Sequence, residues 1–180
     1  MRDSNKKILL GICGGIAAYK VCELIRLLKR NGYAVRCIMT EAARKFITPL
    51  TIQTLSGEQV HTDLFAEYYN DPGHVALADY PDLIVLAPAT ADTLAKAACG
   101  LAGDLLSSTL LSTDRKILVC PAMHTNMWKS KITQENVQKL KGIGYSFIGP
   151  ESGSLASGGE GIGRLAPVET IYKRITELTK

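Results

Sequence analysis

Four continuous apolar runs limit what this chain can fold into: KILLGI (7–12), AVRCIMT (34–40), DLIVLAP (82–88) and RKILVCP (115–121). A run without polar alternation makes a strand buried on both faces, and such strands belong to parallel sheets covered by helices on either side. The segments between the runs have a different period. Val21, Leu24, Ile25 and Leu28 fall at i, i+3, i+4 and i+7, which predicts an amphipathic helix stopping at Asn31-Gly32. Strand, helix and strand within about 35 residues make a parallel, right-handed βαβ unit.

The alternation continues. Helices are expected over EAARKFI, PLTIQTLSG, 91–99, AGDLLSSTLLST, about 126–141 and PVETIYKRITELTK, the last with proline at its start. YSFIGP (145–150) reads as one more strand. The expected fold class is α/β: a doubly wound, mostly parallel, Rossmann-like sheet with helices on both faces, in a flavodoxin-like three-layer arrangement. No repeat or linker divides residues 1–180, so a single domain is expected, with a mobile loop at about 151–166.

Composition narrows the function. Hydrophobic residues make up 46% and charged residues 21%, enough for a packed core. The net charge of +4 is spread out, with no Lys/Arg run longer than two, which suits a small anionic ligand and not a nucleic-acid face. The five cysteines form no CxxC pair. An odd, dispersed set fits reduced core thiols and neither a disulfide frame nor a metal site. The N-terminal apolar run is too short for a signal h-region, and nothing approaches the ~20 apolar residues of a membrane span. A soluble, cytoplasmic protein with no membrane partner is expected.

Ligands of doubly wound sheets bind beyond the carboxyl ends of the strands. Those ends are Cys13-Gly14-Gly15, Met39-Thr40, Pro88-Ala89-Thr90-Ala91 and Pro121-Ala122-Met123-His124. GICGG is not GxGxxG, and Met39-Thr40 stands where a dinucleotide site wants an acid, so NAD is disfavoured. Glycines opening a helix can present N–H groups to one phosphate, as a mononucleotide such as FMN requires, with the Thr40 hydroxyl nearby. The alternative is that they serve only as a tight turn. Thr90 and Asp92 suit either ligand contact or helix capping. His74, after Pro-Gly, suits a general base or a surface residue. His124 is either a working residue at a strand end or a turn residue between two elements. Six glycines between 149 and 163, followed by Arg164, suit a flap that orders on an anion or an ordinary loop.

Taken together, five segments resemble the flavin-dependent cysteine decarboxylases, which include phosphopantothenoylcysteine decarboxylase and the peptidyl-cysteine decarboxylases of lantibiotic synthesis. ILLGICGGIAAYK, LTIQTLSG, HVALADYPDLIVLAPATADTLAK, PAMHTNMW and LASGGEGIGRL follow the family's order over nearly the whole chain. The match is close to the decarboxylase half of the bifunctional bacterial flavoproteins of coenzyme A biosynthesis, and a separate ligase is then expected to serve this chain.

The resemblance implies roles. Gly14, Gly15 and Ile16 would hold the FMN phosphate, with Thr40 nearby. Pro88, Ala89, Thr90, Ala91, Asp92 and Thr93 would contact the flavin, as in the family's PASANT-type loop. His74 would be the base. Met123 and His124 would meet the substrate cysteine. A clamp including Ala156, Ser157, Gly163 and Arg164 would close over the phosphopantothenoyl group. The substrate would be phosphopantothenoylcysteine or a peptide ending in cysteine, and the family's homo-oligomers, trimers or a dodecamer of trimers, place sites between subunits. The family's chemistry runs through a thioaldehyde and an enethiol to, in coenzyme A synthesis, 4′-phosphopantetheine; a non-catalytic FMN-binding regulator is a further relative. Two positions depart from the pattern. His124 replaces the asparagine of PxMNxxMW, and Ser157 replaces the proton-donating cysteine of LACGxxGxGRM.

Overall fold

A computed structural model describes residues 6–65, 73–156 and 158–180. The apolar runs form the middle of one sheet. Its strands are β1 (Lys7–Ile12), β2 (Ala34–Met39), β3 (Val60–His61), β4 (Leu83–Ala89), β5 (Lys116–Pro121) and β6 (Ser146–Phe147). All pairings are parallel, in the order 3-2-1-4-5-6. This is the doubly wound order of the Rossmann class. Ile8 of β1 sits beside Val35 on one side and Leu83 on the other.

Alternate side chains of each strand point to opposite layers. Ile8, Leu10 and Ile12 pack with α1 (Val21–Arg30), α2 (Pro49–Ser56) and α8 (Val168–Leu178). Leu9, Ile84, Leu86 and Val119 pack with α3 (His74–Asp79), α4 (Ala91–Cys99), α5 (Leu105–Ser112) and α7 (Lys131–Gly142). The α1 stripe read from spacing is the buried one: Val21, Leu24, Ile25 and Leu28 are each at most 1% exposed. Burial on this scale stabilises by about 1.5–3 kcal/mol per side chain.

Helix ends follow local chemistry. Thr48 accepts the Thr51 N–H ahead of Pro49, and Gly57 closes α2 at φ 74°. Asp104 and Ser107 form a reciprocal capping box on α5. Burial alone would raise the Asp104 carboxyl, but the Ser107 N–H and the Lys96 ammonium outweigh it and hold it below the usual carboxylate value.

Four local expectations are corrected. The first helix begins as a 3-10 turn, Ile16–Lys20, before α1. EAARKFI yields only a 3-10 turn at Ala43–Lys45. The helix expected over 126–141 is two, α6 (Thr125–Lys129) and α7, because Ser130 takes an extended conformation between them. Residues 151–164 hold an antiparallel hairpin, β7 (Glu151–Ser154) with β8 (Glu160–Arg164), where a loop was expected.

Among the described residues no helix is long and apolar enough to cross a membrane. All five thiols are free, and Cys13, Cys37 and Cys120 are buried. Burial pushes Cys13 up to about 11 and Cys37 to about 12, and raises Cys120 as well. Because the thiolate is the reacting form, a thiol reagent at pH 8 is expected to label exposed Cys99 first and these three only after denaturation. Fast labelling of any buried thiol in the native protein would contradict the packing.

Candidate active site

The strand order reverses between β1 and β4. Their connections leave the sheet in opposite directions and open a crevice beyond its carboxyl edge. A cavity of about 630 Å³ lies there, walled by the turn after β1, by Thr90 after β4, by residues 122–124 after β5, and by the β7–β8 hairpin.

The first wall depends on two glycines for different reasons. A Cβ on Gly14 would strike the Cβ of Ala42 and come within 2.7 Å of the Ala42 carbonyl carbon. Gly15 meets nothing within 4 Å and borders the open cavity. Gly14 therefore lets two loops touch, and Gly15 leaves room for a ligand. In the 3-10 turn that follows, residues three apart share a side. Ile16 and Tyr19, 59% and 60% exposed, both line the cavity, and Lys20 joins them.

Thr90 caps α4: its hydroxyl accepts the Thr93 N–H at 3.3 Å. The two hydroxyls lie 3.2 Å apart, and Thr93 donates to the Cys13 sulfur at 3.1 Å. This chain of bonds ties the β4 loop to the β1 loop.

The third wall is the stretch after β5. His124 is the N-cap of α6, its Nδ1 accepting the Asn126 N–H at 3.2 Å. With Nδ1 accepting, a neutral ring carries its proton on Nε2. The Met123 N–H donates to the Gly163 carbonyl at 3.0 Å, which brings the hairpin against this stretch. The Arg164 guanidinium lies across Gly153, where a side chain would displace it. Lys20 and Arg164 are the cations on the cavity. Among the described residues neither makes an ion pair and no acidic side chain lines the cavity, so its field favours an anion.

Of the residues singled out from the sequence, Gly14, Gly15, Ile16, Thr90, Met123, His124, Ala156, Gly163 and Arg164 line this one cavity. The others stand elsewhere. Pro88 and Ala89 are inside β4, and the Ala89 carbonyl accepts the Ala122 N–H. Ala91 opens α4, and Thr93 is buried behind Thr90. Asp92 faces solvent and pairs with Lys96 at 2.9 Å. The Thr40 hydroxyl accepts the Ala43 N–H at 3.2 Å. His74 begins α3, half-buried, and is absent from the lining. Ser157 lies outside the described residues. Sequence reading missed Tyr19, Lys20, Met127 and Leu155 as lining residues; an i, i+3 spacing from Ile16 was the one signal for Tyr19.

Comparison with known proteins agrees with this architecture. The chain is 46% identical over 175 residues to the coenzyme A biosynthesis bifunctional protein CoaBC of Vibrio vulnificus, covering 93% of this chain and 42% of that protein. It is 45% identical over 177 residues to the CoaBC of Escherichia coli, again with 42% of the relative covered. The chain thus spans about two-fifths of the length of these relatives. Among solved structures it superposes on PPC decarboxylase, a cysteine-to-serine mutant complexed with pantothenoylaminoethenethiol, with TM-score 0.86 and 29% identity over 96% of this chain and 97% of that one. The FMN-dependent cysteine decarboxylase SpaF gives TM-score 0.82 and 30% identity, covering 98% and 99%. The model of the Flavoprotein family matches residues 1–180, and the chain belongs to that family.

Proposed function

We propose that this chain binds FMN in the cavity at the β1/β4 switch point and decarboxylates the cysteine moiety of 4′-phosphopantothenoylcysteine, the step that leads towards 4′-phosphopantetheine in coenzyme A biosynthesis. One observation carries the reading: a single cavity holds the glycine turn, the Met123-His124 stretch and the arginine-bearing hairpin. The residues present fit the cofactor. Gly15 leaves open space, Ile16, Met127 and Leu155 offer apolar walls to a flat ring, and the cations suit a phosphate. Gly14, Gly15 and Ile16 would hold that phosphate, with Thr40 behind them, and Pro88 through Thr93 would shape the ring's side of the site.

Bound FMN supplies a two-electron acceptor, which lets the substrate's CH₂–SH become C=S and its neighbouring carboxylate leave as CO₂. The protein's own work is binding and proton handling. His124 donates its Nε2–H to the substrate carboxylate, in place of an amide. Met123 packs on the cysteine, and the clamp, with Ala156, Gly163 and Arg164, covers the anionic arm. His74 takes the substrate proton. Because His74 does not line this chain's own cavity, that role calls for a homo-oligomer whose sites lie between subunits, a trimer or a dodecamer of trimers.

Ser157 sets the product. A hydroxyl is a far weaker acid than a thiol and does not supply the proton for the final reduction. The reaction is expected to stop at the ethenethiol, the class of molecule held by the cysteine-to-serine PPC decarboxylase. Mass spectrometry tests this: the product of the native protein under air is lighter than substrate by CO₂ and two hydrogens, and Ser157→Cys restores a product lighter by CO₂ alone. Saturated thiol from the native protein would overturn the role given to Ser157.

A second reading, decarboxylation of a peptide ending in cysteine, draws support from Ser157 and from the likeness to SpaF. Arg164 of the hairpin, which makes no ion pair among the described residues, favours the phosphorylated substrate.

A further inference from the structure

We infer that Thr125 is a positioning residue that holds the β7–β8 hairpin over the cavity and so sets where Arg164 meets the substrate; the second half of this inference rests on the function proposed above. Its hydroxyl donates to the Ile162 carbonyl at 2.8 Å, across 37 residues of sequence. Thr125 is not needed as the cap of α6, a task that His124 performs one residue earlier.

The surrounding residues are shaped to this contact. A Cβ on Gly161 would run into the Thr125 hydroxyl oxygen and lie 3.3 Å from its Cβ. A Cβ on Gly163 would run into the Met123 carbonyl oxygen. Alternate residues of β8 therefore sit flush on residues 123–125, the stretch that also carries His124. The hairpin has little else to fix it. It is a two-stranded sheet separate from the main one, and most of its residues are exposed or half-buried. Such a hairpin is marginal on its own. Among the described residues, its hydrogen bonds to the 123–125 stretch are the Met123–Gly163 backbone bond and the Thr125 hydroxyl bond. The second is the one a side-chain change removes.

Thr125→Val keeps the shape and deletes the donor, while Thr125→Ser keeps it. In the FMN-loaded protein without substrate, the amides of 151–154 and 160–164 are expected to exchange hydrogen about fivefold faster in Thr125→Val, as loss of one hydrogen bond implies, and at the native rate in Thr125→Ser. With phosphopantothenoylcysteine, Thr125→Val is expected to raise KM by about fivefold with kcat and flavin content unchanged, and Thr125→Ser to restore it. Native exchange rates in Thr125→Val would overturn the tether, whatever the substrate proves to be. Faster exchange with an unchanged KM would overturn the positioning of Arg164. Lost flavin or a fallen kcat would make Thr125 a general structural residue. If the native protein turns over no phosphopantothenoylcysteine, the function fails, and the exchange rates still decide the tether.

Discussion

His74→Asn is expected to lower decarboxylation by about 10²–10⁴-fold, the usual contribution of a general base, while the purified protein stays yellow. The separation of effects follows from where the residue stands. His74 is the first residue of α3, behind Gly73, whose φ of 59° turns the chain into the helix. Among the described residues its side chain makes no hydrogen bond, and α3 is anchored instead by Leu77 and Ala78. The buried residues of α3 are Leu77 and Ala78 and not His74, so folding should be little affected. The cavity wall does not include His74, so flavin should remain. Thr113 and Arg115 donate to the Ala78 and Asp79 carbonyls and hold the C-terminal end of α3, while His74 opens its other end. If a neighbouring subunit's cavity is served there, light scattering should find an oligomer. Colourless His74→Asn protein would make the residue structural, and unchanged turnover would remove it as the base.

The second large effect belongs to the glycine turn. Gly14→Ala places a methyl against the Cβ and backbone of Ala42. The turn or the 40–43 segment must move, and overpacking of this kind destabilises by about 1–3 kcal/mol. For a chain of this size that is a fall in Tm of about 2–12 °C, and the displaced turn is expected to lose FMN. Gly15→Ala is the informative control. Gly15 is extended at φ −163°, a conformation open to any residue, and its Cβ would meet nothing. The flavin-free variant should melt with the native flavin-free protein, yet bind FMN more weakly because the methyl projects into the cavity. Thermal melts and FMN titration of both variants check this. Equal behaviour of the two would contradict the distinct roles assigned to these glycines.

The layered sheet was legible because its strands are buried on both faces, and burial on both faces writes itself as unbroken apolar runs. β3 was not, because Val60–His61 is only two residues between polar neighbours. The break at Ser130 left no Pro or Gly to mark it. The hairpin was hidden by its composition: glycines at 161 and 163 serve close packing on Thr125 and Met123, and glycine spacing alone reads as a loop. At the site, the strand-end rule located the cavity, but a 3-10 turn in place of an α-helix changed which residues face it, so Tyr19 and Lys20 were missed. His124 was open between a turn residue and a working one. It is a helix cap whose hydrogen bond to the Asn126 N–H also fixes which ring nitrogen carries the proton, and that same proton is what the proposed carboxylate contact requires.

Decarboxylation on a flavin-bearing cavity is tested by mass spectrometry of 4′-phosphopantothenoylcysteine incubated under air with the yellow protein. The substrate is expected to be replaced by a species that has lost CO₂ and two hydrogens, with Ser157→Cys yielding the saturated thiol. Substrate of unchanged mass, recovered from protein shown to carry FMN, would contradict it.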